Sequence, residues 1–288
     1  MIIKMTSLLK NSSLFAIILS FVISSCIAPI DIKTDDASSR LVIYGYITTD
    51  TTHHSIRITR LAGYFTTDIP ENISGAIVSI SDEDNNIFYL YENEDDPGLY
   101  QTADNVYGEE GKTYTLNVQF DMYRYSASAR MTRNNDIDSV RLLPSMFSEN
   151  RVEVRMYMDN IEDLPDENLY TIFVSLNDSL LNSTINRYRV MQNIVSGMRC
   201  YVLRQIMEED EDEEDSRLLR PGDKVSVNIN AISQEYADFI SAAQTELRDN
   251  IPIFSGPPAN VPTNIRGDKP ALGFFTAFSS RHAFVRHE

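Results

Sequence analysis

KTYTLNVQF, residues 112–120, decides the fold because apolar and polar side chains alternate along it. Successive side chains of a β-strand point to opposite faces, so this pattern predicts a strand with one face buried and the other in water. The side chains predicted to face the core are Tyr114, Leu116, Val118 and Phe120, and those predicted to face water are Thr115, Asn117 and Gln119.

The same alternation recurs on both sides of this strand, from residue 40 to residue 131. The stretches are short, rich in Val, Ile, Tyr, Phe and Thr, and separated by turn sequences such as DEDNN, DDPG and GEEG. They are RLVIYGYI (40–47), HSIRITRLAGYF (54–65), GAIVSISD (75–82), NIFYLYE (86–92), GLYQT (98–102) and YRYSASARM (123–131). Together with KTYTLNVQF they predict an antiparallel β-sandwich of immunoglobulin-like or transthyretin-like size over residues 40–133.

Residues 134–288 predict a second β-rich domain, which residues 134–144 join to the first. Its strands are predicted at NRVEVRMYM (150–158), LYTIFVSLN (169–177), INRYRVMQNI (185–194), MRCYVLRQI (198–206), KVSVNINAI (224–232) and ALGFFTAFSS (271–280). One segment has helical spacing instead: Ser233 is a suitable N-cap for an amphipathic helix over residues 233–248. Its apolar stripe is Tyr236, Phe239, Ile240, Ala243 and Leu247. We expect this stripe to cover an open sheet.

The first 25 residues predict an export signal. Lys4 and Lys10 precede an apolar run over residues 14–23, and none of these 25 residues is acidic. This basic, apolar and then small order is that of a secretory signal peptide. A run of about ten apolar residues is too short for a hydrocarbon core, which takes about twenty. We therefore expect residues 1–25 to be removed.

Cys26 ends the sequence Ile23-Ser24-Ser25-Cys26, which resembles the bacterial lipobox. In proteins with that motif the cysteine takes a diacylglyceryl thioether, the signal is cut before it, and the new amine is usually acylated, typically with palmitate. This resemblance makes Cys26 the lipidation site and the first residue of the mature chain. Two or three acyl chains hold a protein to a membrane almost permanently, since each buried methylene contributes about 0.8 kcal/mol.

Residues 26–39 predict a flexible tether, because they are polar, contain Pro29 and lack periodicity. Acidic residues follow the cysteine at Asp31, Asp35 and Asp36. Acids in this position resemble the surface-export signals of Bacteroidota lipoproteins. We therefore expect the protein to be lipid-anchored in the outer membrane and displayed on the cell surface.

The net charge limits the possible partners. It is −17 for the whole chain, and loss of the two lysines in residues 1–25 takes it to −19. Nucleic acids and anionic lipid surfaces repel such a chain, so neither is expected as a partner.

Cysteine and histidine usage predicts neither a disulfide nor a metal site. Once Cys26 is lipidated, Cys200 has no partner, and its strand-like surroundings predict a buried, inert thiol. His53 and His54 are adjacent on a predicted strand, so their rings leave on opposite faces and cannot share one metal. The sequence contains no H-E-x-x-H, no glycine-rich phosphate loop and no G-x-S-x-G elbow. We expect no metal, no cofactor and no catalytic residue.

Three loop tips are hypotheses for ligand or partner contact because of their length and polarity: residues 82–86, 208–215 and 255–270. The first has the alternating oxygen ligands of a calcium loop, but Ile87 stands where that loop needs glycine, so a hairpin turn is predicted. The second is eight consecutive acids, typical of a solvated loop. The third contains an Arg-Gly-Asp sequence at residues 266–268, for which a tight turn is predicted.

The order of these stretches is similar to that of a known family. The lipobox is followed by RLVIYGYITTD, HSIRITRLAGYF, ISGAIVSISDEDNN, PGLYQT and GEEGKTYTLNVQF, and later by NVPTNIRGDKPALGFFTAFS. This order resembles the Bacteroidota envelope lipoproteins grouped as domain of unknown function 4249 (DUF4249), over nearly all of the mature chain. The resemblance implies an accessory lipoprotein of a TonB-dependent, SusC-like outer-membrane uptake system. It carries no catalytic residue over to this chain.

The sequence as a whole favours a non-enzymatic, lipid-anchored binding or accessory module beside an outer-membrane transporter. Two alternatives stay open. A surface hydrolase acting on glycans or peptides would need a pocket with converging carboxylates or with histidines of perturbed pKa. A fimbria-like structural subunit would need an arginine-specific cut, as at Arg40, that frees a groove for strand addition from a neighbour.

Overall fold

The computed structural model describes residues 40–60, 70–146, 148–158, 169–192, 194–205, 218–248 and 261–288. These residues are mainly β, as predicted: 55% of them lie in strands, and the described part of the chain has one α-helix, α1 (Gln234–Arg248). The predicted signal peptide, Cys26 and the predicted tether lie outside the described residues.

The strands are short except for the last. In chain order they are β1 (Leu41–Thr48), β2 (Ser55–Arg60), β3 (Glu71–Asn72), β4 (Ile77–Asp82), β5 (Ile87–Glu92), β6 (Leu99–Gln101), β7 (Thr113–Phe120), β8 (Tyr123–Arg130), β9 (Ile137–Pro144), β10 (Arg151–Met158), β11 (Leu169–Leu176), β12 (Ser179–Leu180), β13 (Val190–Met191), β14 (Met198–Gln205), β15 (Leu218–Leu219), β16 (Lys224–Ile232), β17 (Arg266–Gly267) and β18 (Leu272–Arg286). A 3-10 turn spans Ile185–Arg187.

The strands of the described residues form two sheets. The larger, of 14 strands, has the order β12-β11-β16-β18-β1-β2-β6-β5-β4-β7-β8-β17, with β3 beside β2 and β13 beside β11. The smaller has four strands in the order β15-β14-β10-β9. β18 lies in the middle of the large sheet, parallel to β1 and antiparallel to β16. It therefore joins strands from the two regions predicted as separate domains.

β18 presents a different environment on each face. On one face Phe275 and Ala277 belong to a first core formed with β1, β2 and β4 to β8. Farther along the same face Ala283 and Val285 pack against a second core, formed by β9, β10, β11, β14 and β16. On the opposite face Phe274 and Phe278 form a third apolar cluster with α1. All the described residues fall within one compact unit, residues 37–288, and the predicted boundary between residues 133 and 134 stays a prediction.

The predicted alternation is confirmed for the described strands of the first region. In β7, Tyr114, Leu116 and Val118 are buried and Asn117 and Gln119 are exposed, while Phe120 is half-buried against the same core. The predicted helix is also confirmed. Ser233 Oγ accepts a hydrogen bond from Tyr236 N at 3.3 Å, which makes Ser233 the N-cap.

The apolar stripe of α1 covers the sheet only along its first turns. Tyr236, Phe239 and Ile240 are buried against β18, as predicted. Leu247 was predicted to belong to the same stripe, but its side chain is 56% exposed. The third cluster reaches no farther along the helix than Ile240, so the far end of α1 leaves the sheet surface.

The prediction that residues 134–144 only cross between domains is wrong, because most of them form β9. β9 pairs with β10 and buries Val140, and the register between the two strands shifts at Tyr157. A shift of this kind inserts a residue and breaks strict alternation. The period-two signal of β9 was therefore weak in the sequence.

The prediction of a full strand at residues 185–194 is also wrong. The chain there forms the 3-10 turn and the two-residue β13. The physical reason is Asn182, whose side-chain Nδ2 donates to Ile172 O at 2.9 Å and whose Oδ1 accepts from Val174 N at 3.1 Å. This amide takes the place of a neighbouring strand along the middle of β11.

Candidate functional site

The best-formed cavity of the described residues lies on the face of the large sheet that carries α1. Its volume is about 650 Å³. Its floor is the part of β11, β16, β18 and β1 that the helix leaves uncovered, and we call this cavity the cup. Register aligns its side chains in rows: Thr171, Asn230 and Ser280 in one, Phe173, Asn228 and His282 in the next, and Ser175, Ser226 and Phe284 in the third.

One end of the cup is aromatic. Its rings are those of Tyr44, Tyr46, Tyr188, Tyr236 and Phe278, here called the aromatic end. The hydroxyl groups of Tyr44 and Tyr236 are hydrogen-bonded at 2.8 Å, and the rings of Tyr46 and Phe278 lie 5.1 Å apart. Burial raises the pKa of the Tyr44 and Tyr236 hydroxyls above their usual range, so both stay protonated at neutral pH.

Helix α1 positions two of these rings. Tyr236 comes from its first turn. Farther along, Gln244 Nε2 donates to Ile185 O at 2.8 Å and to Tyr188 O at 2.7 Å. The helix thereby holds the 3-10 turn against the sheet, and Tyr188 with it.

The floor of the cup is polar and uncharged. Ser280 Oγ donates to Asn230 Oδ1 at 2.9 Å, and Asn230 Nδ2 donates to Thr171 Oγ1 at 3.4 Å. The neighbouring Asn228 has a buried Oδ1 that finds no hydrogen-bond partner among the described residues. Buried acceptors are nearly always paired in proteins, so Asn228 Oδ1 is a candidate acceptor for a ligand.

His54 lies beside this floor as a buried imidazole. It is 1% exposed, and its Nε2 lies 3.1 Å from Val106 O. The imidazole also faces the backbone carbonyl of Asp50. Burial lowers the pKa of His54, which keeps the imidazole neutral.

His53 lines the cup as well. Its side chain is exposed, and its Nδ1 lies 2.8 Å from Thr102 O. Both histidines precede β2 and lie outside the strand, so the strand position from which opposite faces were predicted is wrong.

The carboxylates on the rim of the cup are hydrogen-bonded. Asp50 Oδ1 lies 2.8 Å from His282 Nε2, and Lys224 Nζ lies 2.9 Å from Asp178 Oδ1. The ammonium group of Lys224 also lies 5.5 Å from the centre of the Phe284 ring. Each rim carboxylate therefore already has a hydrogen-bonded partner.

A second surface lies on the outward side of β5, β4, β7, β8 and β17, and we call it the arginine face. Its apolar part consists of exposed side chains, among them Ile77, Tyr89 and Tyr91. Its polar part continues across the strands and consists of Ser79, Asn117, Gln119, Arg124, Ser126, Arg130 and Arg266. None of the outward positions of these strands holds a carboxylate, although the chain has 42 acidic residues.

Comparison with protein families assigns the chain. The model of a domain of unknown function, DUF4249, matches residues 27–283. This chain belongs to the DUF4249 family. No curated protein matches it.

Of the sites predicted in this DUF4249 chain, several lie outside the described residues: Cys26, residues 208–215 and residues 255–260. Residues 82–86 form the predicted hairpin turn. Asp82 Oδ1 accepts from Asp84 N at 3.0 Å and from Asn86 N at 2.9 Å. Lys112 Nζ lies 2.9 Å from Asp84 Oδ2, so a lysine occupies the side of the turn where a cation would bind.

The Arg-Gly-Asp sequence at residues 266–268 does not form the structure predicted for it. Arg266 and Gly267 form the edge strand β17 against β8, and Asp268 Oδ2 accepts from Arg124 N at 2.9 Å. The tight turn predicted at these residues is therefore wrong, because β8 offers them an unpaired edge. Cys200 is buried on β14, and burial raises the pKa of its thiol to about 11, as expected of an inert cysteine.

The described residues contain neither a metal-binding cluster nor a helix that could span a membrane. No three side chains of His, Cys, Asp or Glu in the described ranges are placed to hold a metal ion. No described helix has both the length and the hydropathy needed to cross a bilayer.

The cup was missed by sequence reasoning because its residues are scattered from Tyr44 to Phe284. A partial signal existed in KVSVNINAI, where one face of the strand is Val and Ile and the other is Ser and Asn. When one face of a central strand is apolar and the other carries uncharged polar side chains, the polar face is neither core nor open surface.

Proposed function

We propose that this DUF4249 protein is a lipid-anchored, non-enzymatic binding module of the outer membrane that serves a TonB-dependent, SusC-like uptake system. The observation that carries this proposal is the cup, which has the volume, the apolar walls and the few polar groups of a small-molecule site. Such a site, on a body whose sequence carries a lipobox, suits capture of a ligand beside a transporter.

The anchor supplies the mechanism. Cys26 would carry the acyl chains, and confinement to the membrane raises the effective concentration of the cup near its transporter. Weak contacts between the two proteins are then sufficient. We further propose the immunoglobulin-like or transthyretin-like sandwich for residues 40–133, supported by the first core and its antiparallel strands.

The arginine face is the proposed contact for the transporter. On a chain of net charge −17, a face with Arg124, Arg130 and Arg266, and with Asp268 at its edge, attracts an acidic partner surface. Exposed Tyr89 and Tyr91 add the aromatic area that interfaces favour.

The proposal is tested by purifying the intact lipoprotein from membranes and identifying co-purifying barrels by mass spectrometry. We expect a TonB-dependent barrel, and we expect Arg124→Glu with Arg266→Glu to lower its recovery by roughly ten-fold or more. Arg151→Glu reverses an exposed arginine on β10, outside the arginine face, and serves as the matched control.

The anchor is tested separately with Cys26→Ala. We expect this variant to leave the membrane fraction and to lack fatty-acid mass on its first peptide, because the thiol is the acylated group. Retention of the variant in the membrane, or a wild type without a co-purifying barrel, contradicts the proposed function.

A further inference from the structure

The chemistry of the cup points to its ligand. We propose that the cup binds a neutral, hydroxyl-rich ring molecule, that is, a small saccharide. This inference rests on the proposed function only in taking the cup as the ligand site.

Asn228 on the floor of the cup favours a ligand with hydrogen-bond donors. Its Oδ1 is a buried acceptor that has no partner among the described residues, and its side chain lines the cup. A buried acceptor without a donor is unfavourable, so a suitable ligand brings a donor to this position. Saccharide hydroxyl groups are donors of this kind.

The rings of the aromatic end favour a ligand with an apolar face. Tyr46 is 40% exposed, and its ring is braced by that of Phe278 at 5.1 Å. Tyr188 stands edge-on to Phe173 with ring centres 4.8 Å apart. Braced rings of this type present flat apolar surface, onto which the C–H face of a sugar ring packs. The ligand therefore has an apolar face as well as hydroxyl groups.

The charges around the cup favour a neutral ligand. The carboxylates of Asp50 and Asp178 are engaged by His282 and Lys224, and the floor between these pairs is uncharged. A cationic ligand would have to displace a rim partner, and an anionic ligand would approach a chain of net charge −17. A neutral ligand meets neither obstacle.

The test uses the full-length lipoprotein in a detergent without a sugar headgroup, since maltoside or glucoside detergents would occupy the cup. An array of neutral di- and trisaccharides identifies binders, and calorimetry measures their affinity. For each binder, a cationic amino-sugar analogue and an anionic uronic-acid analogue serve as charge controls. We expect millimolar or tighter binding of a neutral saccharide and weaker binding of both charged analogues.

Three variants locate the binding. Asn228→Leu removes one unpaired acceptor at similar volume, and Tyr46→Leu removes one exposed ring. Each is expected to weaken saccharide binding by roughly ten-fold. Asn117→Leu makes the same change on the arginine face and is expected to leave binding unaltered. Thermal unfolding of each variant separates lost binding from lost folding.

The outcomes distinguish this inference from the proposed function. If no neutral saccharide binds, or if Asn228→Leu and Tyr46→Leu fold and bind like wild type, the saccharide assignment is overturned while barrel co-purification can still stand. If a saccharide binds in the cup but no barrel co-purifies, the saccharide assignment stands and the transport role is lost.

Discussion

At the scale of single residues, burial distinguishes two histidines that are neighbours in sequence. His53 is exposed, whereas His54 is buried with its Nε2 bound to Val106 O. Burial holds the pKa of His54 below its usual value. The unfolded chain, with a histidine pKa of about 6.5, therefore binds more protons than the folded one once the pH falls below that value.

His54 predicts a loss of stability on acidification. Between about pH 7.5 and about pH 5.5 we expect the free energy of unfolding to fall by up to about 1.4 kcal/mol, and then to level off below the folded pKa. Denaturant unfolding at these two pH values measures the fall. His54→Gln should abolish it, whereas the exposed His53→Gln should keep it. An unchanged pH dependence in His54→Gln refutes the prediction.

The sequence predicted the burial of single residues correctly where burial depends on positions a few residues away. Cys200 and the buried side of β7 followed from alternation within a few residues. The unpaired state of Asn228 could not follow, because it depends on which groups of β11 and β18 stand opposite.

At the scale of elements, β18 is held to β1 by close backbone contact at a glycine. Gly273 has φ +98°, and a Cβ added there would overlap the carbonyl oxygen of Ile43. A side chain at this position would therefore strain its own backbone and separate the two strands. Gly222 has a similar φ of +88°, but an added Cβ would meet nothing within 4 Å.

These two glycines make a matched pair. Gly222→Ala should lower the free energy of unfolding by about 1–3 kcal/mol, because the only added strain is that of alanine at a positive φ. Gly273→Ala should cost clearly more, since the overlap with Ile43 adds to the same strain. Denaturant unfolding of both variants measures the difference. Equal destabilisation would mean that the β1–β18 pairing tolerates the added methyl group.

Elements were predictable where a strand has one apolar face and an uninterrupted register. β9 was missed because its register with β10 shifts, and residues 185–194 were misread because the Asn182 amide already serves β11. In both cases a partner distant along the chain overrode the local pattern.

At the scale of the whole molecule, β18 couples the first and second cores. Phe275 is fully buried in the first, and Val285 packs against the second. Arg281, between them on the strand, forms ion pairs with Glu110 and Asp136. The cup is assembled at this scale as well, from strands that alternation predicts singly but cannot arrange.

This coupling predicts a single unfolding transition. Leu116→Ala in the first core and Val227→Ala in the second should lower the same transition, the former by about 2–5 kcal/mol. Scanning calorimetry with near-ultraviolet circular dichroism of the tyrosines measures it, and equal calorimetric and van't Hoff enthalpies would establish cooperativity. Two transitions, each shifted by one substitution alone, would instead support separate domains at residues 40–133 and 134–288.

The position of β18 along the chain also sets the order of events during synthesis. The hydrogen bond from Thr49 to Ser280 joins groups 231 residues apart, and β18 follows both of its neighbours in the sequence. A polypeptide that emerges from a ribosome or an export pore with its N-terminus first presents β1 and β16 before the strand between them exists. Neither core is complete on such a partial chain, because β18 supplies Phe275 and Ala277 to the first and packs Ala283 and Val285 against the second. Because β18 comes after its partners, the nascent polypeptide stays unfolded enough to pass through a pore. Until β18 arrives, β1 has an unpaired edge, and this is the edge that a chaperone must shield longest.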